Sequence, residues 1–181
     1  MNATKPITKL PWSVPVTLSD IPDEGRHFDL VADERTRAQV AQVAGLQSLT
    51  RFQASFDVAR RGSNGLHIGG EVSATVGQTC VVTLEPLNNE VKEAVALDFA
   101  PPADTSVEQT EETEIAAAGG PEPLIGDGID LGALATEFLI LGIDPYPRKP
   151  GAAFESPAAE DDGASHPFAA LAALKQEPDK E

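Results

Sequence analysis

The hydrophobic period along the chain switches between two and about three and a half, and each switch marks an element. From Arg51 onward, Phe52, Ala54, Phe56 and Val58 alternate with Arg51, Gln53, Ser55 and Asp57, the pattern of a half-buried strand. Arg60 to Gly65 is a hairpin signal, with Asn64-Gly65 able to take positive φ. Alternation resumes with Leu66, Ile68, Val72, Ala74 and Val76 against His67, Glu71, Ser73 and Thr75, and Gly69-Gly70 marks a bulge or a sharp bend. Val81–Leu84 reads as a third strand, Pro86–Asn89 as a turn, and Val91, Val95, Leu97 and Phe99 as the apolar side of a fourth. Strands at this spacing predict an antiparallel meander, curved or partly closed.

Helical spacing flanks the meander. Asp33 is an N-cap with Glu34 in the first turn, and Val40, Val43 and Ala44 share a face, so residues 34–44 predict an amphipathic helix that Gly45 ends. Asp130 caps a second helix whose stripe is Leu131, Leu134, Ala135, Phe138 and Leu141, stopped by Gly142 and Pro145. Pro167 opens a short last helix at about 167–175 with Phe168, Leu171 and Leu174 on one side. Pro11 and Pro15 take donors out of the Trp12–Leu18 stretch, leaving an edge strand or an extended arm. His27–Val31 and Glu122–Ile125 are short strand candidates. The predicted fold class is therefore α+β: a curved or partly closed antiparallel β-meander, two amphipathic helices and a short C-terminal helix.

Between these elements lie stretches with almost no large apolar side chain. Residues 101–121 cannot bury enough surface to offset about 1–2 kcal/mol of backbone entropy per residue, so a disordered acidic insertion is expected there. Residues 151–181 read as a flexible acidic tail carrying the terminal helix, which leaves one domain over residues 1–150. Fifteen Pro and fifteen Gly in 181 residues fit that loop content. Charge sharpens the picture. The formal net charge is −16, but residues 1–100 hold 12 acidic and 9 basic side chains, net −3, whereas residues 101–181 hold 17 and 4, net −13. Such a chain repels polyanions and attracts basic proteins, or else its acidic segments serve solubility alone. No apolar run is long enough to span a bilayer and no secretory h-region is present, so a cytoplasmic location is expected.

Catalytic chemistry finds little to work with. His27 opens a strand, His67 lies on a polar strand face and His166 borders the acidic tail, with no nucleophile and base converging in sequence context. Glu111-Glu112 and Asp161-Asp162 lie in charge runs, which are ordinarily solvated. No phosphate-binding glycine loop occurs, and no cofactor is implied. Cys80, the only cysteine, reads as a small buried hydrophobe, with a reactive thiol as the alternative. Arg35, Arg37, Arg51, Arg60 and Arg61 would form a basic patch if the first helix packed near the first hairpin; otherwise they are a mixed solvated face.

Three blocks in order carry a resemblance: Cys80 followed by Leu84-Glu85-Pro86, the Ile129-Asp130-Leu131-Gly132 helix, and Pro167-Phe168-Ala169 with Leu171 and Leu174. Together they resemble the YceD family of bacteria and plastids, proteins implicated in accumulation of large-subunit ribosomal RNA. The resemblance implies a role in ribosome biogenesis and no catalytic residues. Many such proteins carry Cys-x-x-Cys before the Leu-Glu-Pro turn. Here the second position is Thr83, and Ile143 to Pro150 adds no Cys or His, so the ligands of a structural zinc are missing.

The favoured reading is a non-enzymatic factor supporting 23S rRNA accumulation, with a basic ribosomal protein or a large-subunit assembly intermediate as partner. Candidate partner contacts are Phe168, Leu171, Leu174, Glu111 and Glu112. The alternative is a direct rRNA-binding module using Arg35, Arg37, Arg60 and Arg61. Neither reading involves a membrane or a small-molecule substrate.

Overall fold

Three strands of unusual length dominate. In the computed structural model, which describes residues 10–62, 64–101, 120–124, 126 and 128–154, β3 (Ser48–Arg61), β4 (Gly65–Thr79) and β5 (Pro86–Ala100) form a continuous antiparallel ladder. β2 (Arg26–Val31) pairs antiparallel with β3, and the two-residue β6 (Glu122–Pro123) lies parallel to the end of β5. The period-two pattern places Phe52, Ala54, Phe56 and Val58 beside Ala74, Val72, Gly70 and Ile68 on one face, where all but Gly70 are buried.

A single layer covers that face. It consists of α1 (Glu34–Val43), α2 (Leu131–Gly142) and a small antiparallel ribbon of β1 (Pro15–Thr17) with β7 (Gly128–Asp130). Trp12 meets Phe52 edge-on, ring centroids 4.6 Å apart, and Ile21, Val40, Leu131 and Leu139 are fully enclosed. Asp33 caps α1 by accepting from the Thr36 amide at 2.7 Å. Asp130 does more than cap α2. It accepts from the Gly132 and Ala133 amides at 3.1 Å each, and also from the Val14 amide at 2.7 Å and the Ser13 hydroxyl at 2.5 Å. One carboxylate thus joins the N-terminal arm to the helix 116 residues later. The arm passes so close that a Cβ at Gly132 would stand 2.9 Å from the Trp12 carbonyl.

The fold class expected from sequence needs correction. The main sheet is mixed and open, ordered β2-β3-β4-β5-β6, and β1-β7 form a second sheet, so there is no closed or curled antiparallel meander. Its end strands are short, so neither presents a length to pair across a closure. Two α-helices occur among the described residues; the third, at 167–175, falls outside them. Nor are those two helices simple stripes. α2 buries Leu131, Gly132, Leu134, Ala135, Thr136 and Leu139 around most of its girth while Leu141 is 77% exposed, because the sheet, arm and ribbon surround it. α1 buries only Val40 and Ala41, and Val43 is exposed.

The strand count also changes. Val81–Leu84 is not a strand but the turn between β4 and β5, closed by Leu84 N–H to Cys80 O at 3.0 Å and Cys80 N–H to Glu85 O at 2.9 Å. Pro86–Asn89, expected as a turn, is the start of β5, where a strand's first residue tolerates proline. The register shift lies at Leu49/Arg51, not at Gly69-Gly70, where the ladder is unbroken. Gly70 serves packing: a Cβ there would stand 2.9 Å from Phe56 Cδ1 and overlap the Ser55 carbonyl. In the β3–β4 hairpin Gly62 takes a left-handed φ of +64°.

Enclosure raises the Asp130 pKa, but the hydrogen bonds from Ser13, Val14, Ala133 and Gly132 outweigh it and hold the carboxyl below its usual range. Its contribution to stability is therefore present at neutral pH and lost as pH falls through the depressed value. Asp130→Ala should cost about 1–2 kcal/mol at neutral pH. In denaturant unfolding the gap from the wild type should narrow in acid; a gap that stays constant with pH would show that the ionised carboxylate is not what matters.

Candidate functional site

The face of the sheet opposite the helices carries no covering element among the described residues. Alternation and register dictate what it displays. One row runs Asp29, Ser55, Glu71, Ala94 across β2 to β5, and the next runs His27, Asp57, Gly69, Ala96. Arg51, Thr75 and Glu90 occupy one end, and Ala59, His67 and Asp98 the other. Most of the charges are paired on the face itself: Lys92–Glu71 at 2.9 Å, Arg51–Glu90 at 2.5 Å, and Asp98 between Arg61 and His67. Exposed pairs of this kind contribute little to stability, so they define the surface more than they hold the fold.

His27 is the group that sequence reasoning undervalued. Its Nδ1 lies 2.7 Å from Asp57 Oδ1, and its Nε2 lies 3.2 Å from Asp29 Oδ1 and 3.3 Å from Ser55 Oγ. The residue types are those of a hydrolytic triad, but the arrangement does not serve as one. Hydrogen bonds donated to Asp57 and then to Asp29 raise the imidazole pKa and favour its protonated form, which is no base. Ser55 sits mid-strand, where its backbone belongs to the ladder and no oxyanion site forms. The signal was available in the alternation, which puts His27, Asp29, Ser55 and Asp57 on one face. The pairing of β2 with β3 was not.

The arginines do not come together. Arg60 donates to Ile21 O and Leu18 O, both at 2.7 Å, clamping the turn of 3-10 helix at Leu18–Asp20. Arg61 is engaged by Asp98, and Arg37 donates to Ala32 O at 2.8 Å. Arg35 is exposed on α1. Because the start of α1 sits beside Phe52, the helix arginines and the hairpin arginines lie about 25 Å apart by strand rise. Glu111, Glu112, Phe168, Leu171 and Leu174 lie outside the described residues.

Cys80 joins two loops. Its enclosed sulfur accepts from the Thr83 amide at 3.4 Å and from the Lys149 amide at 3.3 Å. Val81 N–H donates to Pro147 O at 2.9 Å, and Lys149 Nζ lies 2.9 Å from Glu85. Leu84 takes a left-handed φ of 59° here and leaves its side chain 76% exposed. Hydrogen bonds from the Thr83 hydroxyl, then the Lys149 and Thr83 amides, pull the thiol down to about 6 against the effect of enclosure. The loops do not fit a metal. Cys80 is the only thiol, and no cluster of three or more His, Cys, Asp or Glu forms among the described residues.

The sequence model of one family, described as Large ribosomal RNA subunit accumulation protein YceD, matches residues 68–175, more than half of the chain. The chain belongs to the YceD family. The match begins in β4 and takes in the Cys80 turn, β5, α2, the loop to Lys149 and the Phe168–Leu174 block, while His27, Asp29, Ser55 and Asp57 precede it. No curated protein and no solved structure matches the chain. No helix among the described residues of this YceD protein is long and apolar enough to cross a membrane.

Two titrations check the site. The His27 ring should titrate above its ordinary 6.5 in NMR spectra, and Asp57→Asn should bring it down more than Asp29→Asn; equal or absent effects would contradict the hydrogen-bond ranking. For Cys80, a depressed thiol stabilises the fold most above its unfolded value and loses that contribution as pH falls through about 6. Thiolate absorbance should therefore rise near 6, and in Thr83→Ala the midpoint should move up. An ordinary thiol midpoint in the folded wild type would contradict the assignment.

Proposed function

We propose that the protein is a non-enzymatic factor in large ribosomal subunit biogenesis, supporting accumulation of 23S rRNA by binding a basic ribosomal protein or an assembly intermediate. The observation that carries the reading is the family match over residues 68–175. The net charge of −13 on residues 101–181 supports a basic protein, rather than RNA, as the direct partner. The commitment of Arg37, Arg60 and Arg61 to the protein's own carbonyls and to Asp98 also speaks against a phosphate-binding patch. The terminal block with Phe168, Leu171 and Leu174 is too short for a stable isolated helix, and partner binding gives it a role.

Loss of the gene should lower mature large-subunit rRNA relative to small-subunit rRNA. Replacing Glu108, Glu111, Glu112 and Glu114 by Gln, or removing residues 165–181, should weaken capture of large-subunit components without lowering the melting temperature. An unchanged rRNA ratio in the deletion strain would sink the ribosomal reading. Tight RNA binding abolished by Arg60→Ala with Arg61→Ala would favour direct RNA contact instead.

A further inference from the structure

We infer that the open edge of β5 is a dimer interface, at which a second copy of this chain adds its own β5 antiparallel about a two-fold axis through Val91. The inference goes beyond the ribosomal reading and does not depend on it.

The edge itself comes first. β5 runs for 15 residues. On one side β4 pairs with Pro86–Phe99, whereas on the other β6 meets only Phe99 and Ala100. Peptide groups alternate in direction along a strand. The Glu85 carbonyl turns to Cys80 N–H, toward β4, and the Ala100 carbonyl turns to Leu124 N–H, away from it. The even-numbered residues from Asn88 to Asp98 therefore point their N–H and C=O groups outward, and no described strand pairs with them. Proteins ordinarily blunt such an edge with a bulge, a proline or brevity. This one keeps an unbroken register and has no proline after Pro86. A groove of about 400 Å³ borders the same edge, where Leu97 and Phe99 face Ala133, Phe138 and the exposed Leu141 of α2. A strand added to β5 would gain a backbone ladder and set alternate side chains beside that groove.

Register picks the occupant. β5 paired with its own copy about Val91 sets Val91 against Val91, Leu87 against Val95 and Asn88 against Ala94. Glu90 falls opposite Lys92 of the copy. The signs Arg51, Glu90, Lys92, Glu71 then alternate across the joint, so the pairs within each copy are extended and none is broken. On the core side Glu93 meets Asn89, whose amide donates to Gln78 at 2.9 Å and keeps a second N–H. Moving the axis by one residue sets Glu90 or Lys92 against itself. Moving it by two sets Glu93 against Glu85 or against itself, so like charges exclude the neighbouring registers. The ends fit as well. The copy's ladder stops at Pro86, opposite Ala96, just short of the place that β6 takes at Phe99. Its Cys80 turn then brings the exposed, left-handed Leu84 to the Leu97–Phe99 end of the groove. The chain's other segments suit the edge less. Residues 102–119 hold five acidic side chains, with Val107 and Ile115 as the only large apolar ones. In residues 155–181, Phe168, Leu171 and Leu174 recur at every third position, a helical spacing.

Sedimentation of the full-length chain at about 0.15 M salt, where the like net charge of two copies is screened beyond roughly 8 Å, should show a monomer–dimer equilibrium that moves with concentration. Ala94→Pro removes one outward N–H at the middle of the edge and none from the β4 ladder. It should weaken the dimer about tenfold or more while the melting temperature stays close to that of the wild type. Should that variant fail to fold, Lys92→Glu replaces it, setting carboxylates against each other across the joint. The register has its own check. Val91→Cys should give a disulfide-linked dimer on mild oxidation, because the two Cα atoms lie about 4.5 Å apart across the axis. Glu93→Cys should not, its two copies being about 14 Å apart. A chain that stays monomeric at every concentration, a dimer indifferent to both edge variants, or a cross-link at position 93 alone would overturn the interface. So would dimers that form only after removal of residues 1–9 or 155–181, which would show the edge covered by the chain's own termini. The two proposals fail separately: an unchanged rRNA ratio removes the ribosomal reading alone, and a monomer removes the interface alone.

Discussion

Phe56 lies directly opposite Gly70, and the register of the long ladder turns on that pairing. A strand pair slipped by one residue would turn every side chain to the other face. In the register observed, a Cβ at position 70 would stand 2.9 Å from Phe56 Cδ1, so glycine is what leaves room for the ring. With that register fixed, Phe52, Ala54, Val58, Ile68, Val72 and Ala74 all fall on one side. Everything else follows from the need to cover that side. Trp12 closes over Phe52, α2 lies along β5, and Asp130 fastens the arm and the helix to each other with hydrogen bonds that an ionised carboxylate makes strong.

The same alternation that builds the core sorts the other face without any further instruction. A sheet covered on one side presents its polar positions as a flat, regular array, with spacing set by strand geometry. The ion pairs on it are exposed, and their energetic worth to the fold is small.

Much of this was written in the local pattern. The alternation of Phe52 to Val58 and of Leu66 to Val76, and the caps at Asp33 and Asp130, needed no more than periodicity and side-chain chemistry. The failures share a cause, which is that pairing between distant segments leaves no local trace. Val81–Leu84 has the composition of a strand, yet hydrogen bonds to Glu85 and to Pro147 fold it into a turn. The parallel β6, the separate β1-β7 ribbon and the burial of α2 beyond a single stripe all come from contacts spanning tens of residues. For the site, His27 looked like the start of a strand because its partners Asp57 and Ser55 reach it only through the pairing of β2 with β3. The arginines are spread by the same long-range pairing: those of α1 lie near Phe52, and Arg60 and Arg61 at the far end of β3.

Strand length has a consequence of its own. β5 carries the chain from the Cys80 turn to Ala100, about 45 Å by strand rise, where residues 102–119 depart and Gly120 returns. α2 then brings the chain back, and the clasp between Pro147, Lys149 and the Cys80 turn fixes the departure of residues 155–181 at the other end. Two acidic stretches of the protein are thus attached at opposite ends of the long ladder. The two points of attachment are therefore separated by about the full length of β5, on the same rigid ladder.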